Sequence, residues 1–129
     1  MRSLARHGSL LLLALALAAC ATMRPVTSGG VPATDTTVIA AANAIACIER
    51  TMVAIGDILL AQRQEFTDAE WSRIADTSSA LKDALFLARD SLRAYEAAAT
   101  GANADKLQAA INVLTTISAA YAAYQGGTP

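Results

Sequence analysis

The sequence predicts an all-α fold, an antiparallel up-down-up three-helix bundle, and three observations carry that reading. Alanine supplies 26 of the residues from Cys20 onward, and no proline falls between Pro32 and Pro129. Alanine is the strongest helix former and proline the weakest. Apolar residues recur at three- and four-residue spacing through three long segments. The links between those segments are short, about four residues, and short links force antiparallel neighbours. The predicted domain spans residues 35–125, with helices at about 35–63, 68–99 and 104–124 and a tail at 126–129. The alternative is a helical hairpin of the first two segments that dimerises into a bundle.

Before the helices comes a different kind of segment. Arg2, Arg6 and His7 make a short positive opening, followed by the apolar run Leu10 to Leu17. Eight residues rise only about 12 Å as a helix, whereas a bilayer core needs about twenty residues. The run is too short to span, and its flanks are those of a secretory signal. It ends Leu17-Ala18-Ala19-Cys20, with small residues before a cysteine.

Leu17-Ala18-Ala19-Cys20 resembles the lipobox of bacterial lipoproteins, and the resemblance covers residues 1–20. It implies that Leu17, Ala18 and Ala19 are read by the signal peptidase and that residues 1–19 are cleaved. It implies that Cys20 becomes the first residue and carries the lipid (diacylglyceryl and, on the amine, an acyl chain such as palmitate). The family's inner-membrane retention signal is Asp after the cysteine. Ala21 stands there, so the resemblance implies the periplasmic leaflet of an outer membrane. One acyl chain holds a protein only reversibly, while two or three hold it firmly.

Cleavage leaves eight basic residues against eleven acidic ones, a net charge of −3. The charges are scattered, with no basic stripe for nucleic acid and no polybasic block for an anionic lipid surface. The single histidine, His7, lies in the signal. The mature chain thus has no imidazole for a triad, a proton shuttle or a histidine metal site. Cys47 is the second cysteine of the chain. An odd cysteine in an oxidising compartment invites an intermolecular disulfide, but a small buried side chain is the favoured reading. Ala40, Ala54 and Ala61 form a small-residue row beside it.

Residues 20–34 read as the lipidated cysteine and a flexible linker, rich in Pro, Gly and hydroxyl side chains. Some fourteen flexible residues have an r.m.s. span near 20 Å (roughly), enough to lift a domain off the headgroups. The first helix is capped by Thr34 or Asp35. Its seam is Val38, Ala41, Ile45, Ile48, Met52, Ile55 and Leu59, and the row Ile39, Ala46, Val53 and Leu60 is expected to widen that face. Asn43, Arg50, Asp57 and Gln64 take the far side. Glu49, Arg50 and Asp57 argue against a membrane span, being costly in lipid.

The second helix has the clearest start. Thr67-Asp68-Ala69-Glu70 fits a capping box, and Phe66 and Trp71 sit where a hydrophobic staple would close over it. The seam runs Trp71, Ile74, Ser78, Leu81, Leu85, Ala88, Leu92, Tyr95 and Ala99, and Gly101 supplies a left-handed stop. The third helix is capped by Asn103, with seam Leu107, Ala110, Leu114, Ile117, Tyr121 and Tyr124, Ile111 and Val113 beside it, and Gly126-Gly127 at its end.

Chemistry is sparse. The carboxylates of the second helix lie on its outer face, where nothing encloses a pair for acid–base work. There is no nucleophile elbow, phosphate loop or haem motif. Tyr121 and Tyr124 fit the core edge better than a ligand stack. Phe86 and Leu87 fall off the seam and are the candidate partner surface, although a lone exposed apolar residue is common. The expectation is therefore a non-catalytic helical interaction or structural module, anchored to the envelope by its lipid. Its partners are the membrane and another envelope protein or itself, with no nucleic acid, no metal and no cofactor besides the lipid on Cys20. The alternative is a phage- or prophage-encoded lipoprotein acting in lysis or superinfection exclusion. The general build is similar to small lipoproteins of tailed phages.

Overall fold

A computed structural model describes residues 35–126 of the chain. Leu17, Ala18, Ala19, Cys20, the linker and Gly127 onward lie outside the described residues. The described part is all-α, a bundle of three helices with no strand among the described residues: α1 (Asp35–Ala61), α2 (Asp68–Ala97) and α3 (Gly101–Ala123).

Helix α1 stops two residues before the expected end. The Gln62 N–H bonds to both the Ile58 and Leu59 carbonyls at 3.1 Å, so the ladder tightens from four-residue to three-residue spacing. The 3₁₀ turn Arg63–Glu65 follows. Arg63 then braces the link to α2. Its guanidinium donates to the Phe66 carbonyl at 3.2 Å and to Asp68 Oδ1 at 2.7 Å, and it lies 4.9 Å from the centre of the Trp71 ring.

The capping box at the start of α2 is present. The Glu70 N–H donates to Thr67 Oγ1 at 3.2 Å, and the Thr67 N–H donates to Glu70 Oε2 at 2.7 Å. These bonds satisfy backbone donors that an open helix end would leave orphaned. The staple closes over them, with the Phe66 and Trp71 rings 6.2 Å apart.

The α2–α3 link differs from expectation. Helix α2 ends at Ala97, and Ala98, extended at φ −149°, bonds back to the Ala94 carbonyl. Gly101 is no left-handed stop: it is the first residue of α3. The cap of α3 is Thr100, whose hydroxyl accepts from the Asn103 N–H at 3.2 Å. Asn103 is not the cap, for its amide reaches back to the Ala94 and Ala98 carbonyls at 3.3 and 2.8 Å. One side chain thereby bonds one carbonyl of the last turn of α2 and that of its C-cap from within the first turn of α3. After Ala123 the chain tightens into a 3₁₀ turn, Tyr124–Gly126.

All three helices share one core. Ala41, Ile48, Ile55 and Leu59 come from α1, Leu81 and Ala88 from α2, Leu107 and Leu114 from α3. The seam residues within the helices are buried or partly buried, with Ala44, Ala84 and Ala104 buried in addition, while Val113, expected beside the third seam, is 47% exposed. Ala99 lies beyond the end of α2 and is exposed. The closest pair is α2 with α3, and α1 lies more loosely across both. The hairpin of the first two helices is therefore not the tight unit. The row expected to widen the buried face of α1 points outward instead: Ile39 is 58% exposed, Val53 57% and Leu60 66%. Two facing helices cover only the stripe centred on Ile48, and this row lies on the opposite side of the 3.6-residue period.

Candidate functional site

The residues singled out in the sequence do not converge on one pocket. Phe86 and Leu87 are exposed, as their place off the seam requires, at 68% and 52%. Being consecutive, they project about 100° apart on a 3.6-residue helix. The neighbours of Phe86 three and four residues away are Lys82, Asp83, Arg89 and Asp90, so its ring stands alone in a charged surface.

Cys47 is half-buried and packs against the core, which fits a small apolar side chain. In the structure Cys47 is disulfide-bonded rather than a free thiol.

The tyrosines serve packing. Tyr121 is 5% exposed, and its hydroxyl lies where a Cβ on Gly56 would come within 3.4 Å. That is an ordinary contact, so α1 and α3 meet here without requiring a glycine. Tyr124 is half-buried and shares a 3.3 Å hydroxyl contact with Thr77 of α2. Elsewhere along α3 and just after it lie buried polar atoms that the sequence did not flag. Ser118 is 1% exposed and Gln125 7%, and Ser118 Oγ, Gln125 Nε2 and Gln108 Oε1 are buried without a hydrogen-bond partner. The periodicity that marks a seam does not distinguish Ser118 from the alanines around it.

Charge is used to brace the bundle. Glu49 of α1 pairs with Arg89 of α2, both about half-exposed. Glu70 is the carboxylate held below its usual range. The Thr67 N–H bond is the main cause, followed by the Thr67 hydroxyl and, more weakly, Arg73, against a small opposing desolvation. That shift belongs to the helix cap. Among the described residues, no three His, Cys, Asp or Glu side chains gather as a metal site. By length and composition, Thr36–Ala61 is apolar enough to cross a membrane, and most of it is not buried inside the fold. It is also the element whose outer face is least used by its own chain. No family model, curated protein or solved structure matches this chain.

Proposed function

We propose that this protein is a lipid-anchored envelope lipoprotein whose helical domain is a non-catalytic interaction module. The observation that carries the reading is the segment ending Leu17-Ala18-Ala19-Cys20, with its basic opening and short apolar run. Ala21 favours the outer membrane, periplasmic leaflet. The bundle then stands off the lipid on the linker and offers its surface to another envelope protein or to a copy of itself, with Phe86 and Leu87 as a candidate contact. We read its helices as antiparallel neighbours. The three-residue link at 98–100, the Asn103 bonds across it and the Thr77–Tyr124 contact between the first turns of α2 and the end of α3 support this.

Metabolic labelling with an alkyne palmitate, followed by the intact mass of the mature chain, tests the anchor. The expected result is a labelled chain beginning at Cys20 in the membrane fraction, with label and processing lost in Cys20→Ala. One sulfur cannot hold both a thioether-linked glyceride and a disulfide. A mature chain whose Cys20 is oxidised and unlabelled overturns the anchor. For the surface, Phe86→Ser with Leu87→Ser is expected to release a captured envelope partner, and unchanged capture removes these two residues from the contact.

A further inference from the structure

We propose that the outer face of α1 docks a second copy of this chain in antiparallel register, with Val53 near the two-fold axis and Arg50 of each copy paired with Asp57 of the other.

The apolar row Ile39, Ala46, Val53 and Leu60 repeats at seven residues, the spacing that keeps one stripe of a helix against a partner helix. Its three large members are each more than half exposed. Both faces of the intramolecular packing of α1 are already occupied on the other side. Along one edge of the row runs a second heptad-spaced set, Asn43, Arg50 and Asp57. Among the described residues, neither Arg50 nor Asp57 has an ion-pair partner.

The order of that set selects both occupant and direction. In an antiparallel pair, an edge of this kind faces its own copy, and the copy is read in reverse. Reversed, the set places Asp57 opposite Arg50 and Arg50 opposite Asp57, both at one register centred between Val53 and Ala54. At the same register, Leu60 lies over the small Ala46 of the second copy. A parallel pair brings the edge against the seam residues Ile45, Met52 and Leu59 of the other chain, which are committed to the core or packed on it, and offers no ion pair.

A lipid surface is the poorer occupant. Arg50 and Asp57 sit beside the row, and burying either in the headgroup–acyl boundary is unfavourable. No basic flank compensates, as it does in interfacial helices. The inference names a partner for the interaction module proposed above, yet its geometry does not use the lipid. Self-association and palmitate labelling therefore fail independently. The tether is compatible with the pair. The two α1 N-termini lie about 55 Å apart at ~1.5 Å per residue, and with linkers spanning ~20 Å both anchors reach one leaflet when α1 lies along it.

Charge reversal tests the register. Full-length chains carrying two different tags are co-expressed, and co-purification from detergent extract is measured alongside molar mass by light scattering. Wild type is expected to co-purify with itself. Arg50→Asp and Asp57→Arg are each expected to weaken self-association by at least about tenfold, since both create like-charge pairs. Mixing the two variants restores opposite charges at both contacts and is expected to rescue association between them. Val53→Lys is expected to abolish the pair without changing far-UV helicity, because Val53 is solvent-exposed in the single chain. A monomeric wild type overturns the proposal, whether or not it binds phosphatidylglycerol vesicles. So does a dimer that both charge reversals leave intact, or one that the mixture fails to rescue.

Discussion

Ser118 is the place where a single atom can be removed with a predictable sign. It is 1% exposed in the C-terminal half of α3, and its hydroxyl is buried without a partner. A buried polar group left unsatisfied costs about 1–3 kcal/mol. Ser118→Ala removes that penalty. Against it stand the dispersion contacts of one oxygen, about 0.1–0.2 kcal/mol per neighbouring atom, together under ~1 kcal/mol. Alanine also has the higher helix propensity, by a few tenths of a kcal/mol (about). The balance is a gain of roughly 1–2 kcal/mol. In a domain of this size each kcal/mol moves Tm by about 4–8 °C, so Ser118→Ala is expected to raise Tm by at least ~4 °C, read by circular dichroism on the full chain. Ser118→Thr keeps the hydroxyl, adds a methyl to a full core and is expected to lower Tm. An unchanged or lower Tm in Ser118→Ala refutes the reasoning and shows the hydroxyl to be bonded, to a buried water or to the carbonyl four residues back.

Leu114 is fully buried between the helices, and Leu114→Ala is expected to cost about 2–5 kcal/mol, read as a loss of that size in urea unfolding with m unchanged. Thr67→Ala removes the cap of α2 and is expected to cost about 1 kcal/mol by the same measurement. Glu70 has its pKa lowered by the cap. Its contribution is therefore complete above the ordinary Glu value near 4.5 and is lost as pH falls through the lowered one. Glu70→Gln is expected to melt below wild type at pH 7 and to converge with it in acid, and parallel curves across that range contradict the capping role. Gly56→Ala is expected to stabilise α1 by up to about 1 kcal/mol through helix propensity, because the new Cβ meets Tyr121 Oη at 3.4 Å, an ordinary contact. A fall in Tm there means the phenol cannot yield.

Residues whose role is local were legible in the sequence. The capping box is complete in four consecutive residues, and the staple adds Phe66 and Trp71 on either side of it. The three seams were legible because burial follows the helical period. The start of α3 was not, because Asn103 stands where a capping box has Glu. It reads as a cap itself, while its amide serves the preceding helix. Arg63 was equally silent, since its three contacts exist only once the 3₁₀ turn has formed. The outward row of α1 was misassigned for a different reason. Periodicity shows that a stripe is apolar, but how much of it is covered depends on where the other helices lie. Of the candidate site, Leu17-Ala18-Ala19-Cys20 resembles a lipobox in the sequence alone, whereas the face of α1 emerged only from the exposures.

The uneven packing of the bundle has a temporal consequence. Helices α2 and α3 are close in sequence, tightly paired and cross-braced at their link by Asn103, so their contacts close small loops and form early. Helix α1 joins through fewer neighbours and longer loops. Its amides belong to the part of the molecule that opens first in hydrogen exchange, while those of the α2–α3 pair report the global transition. During synthesis α1 is also the first of the three helices to emerge, ahead of the pair that will cover its inner face. For that interval both its seam and its outward row are uncovered, and a second copy of the chain competes for them before its own α2–α3 pair arrives.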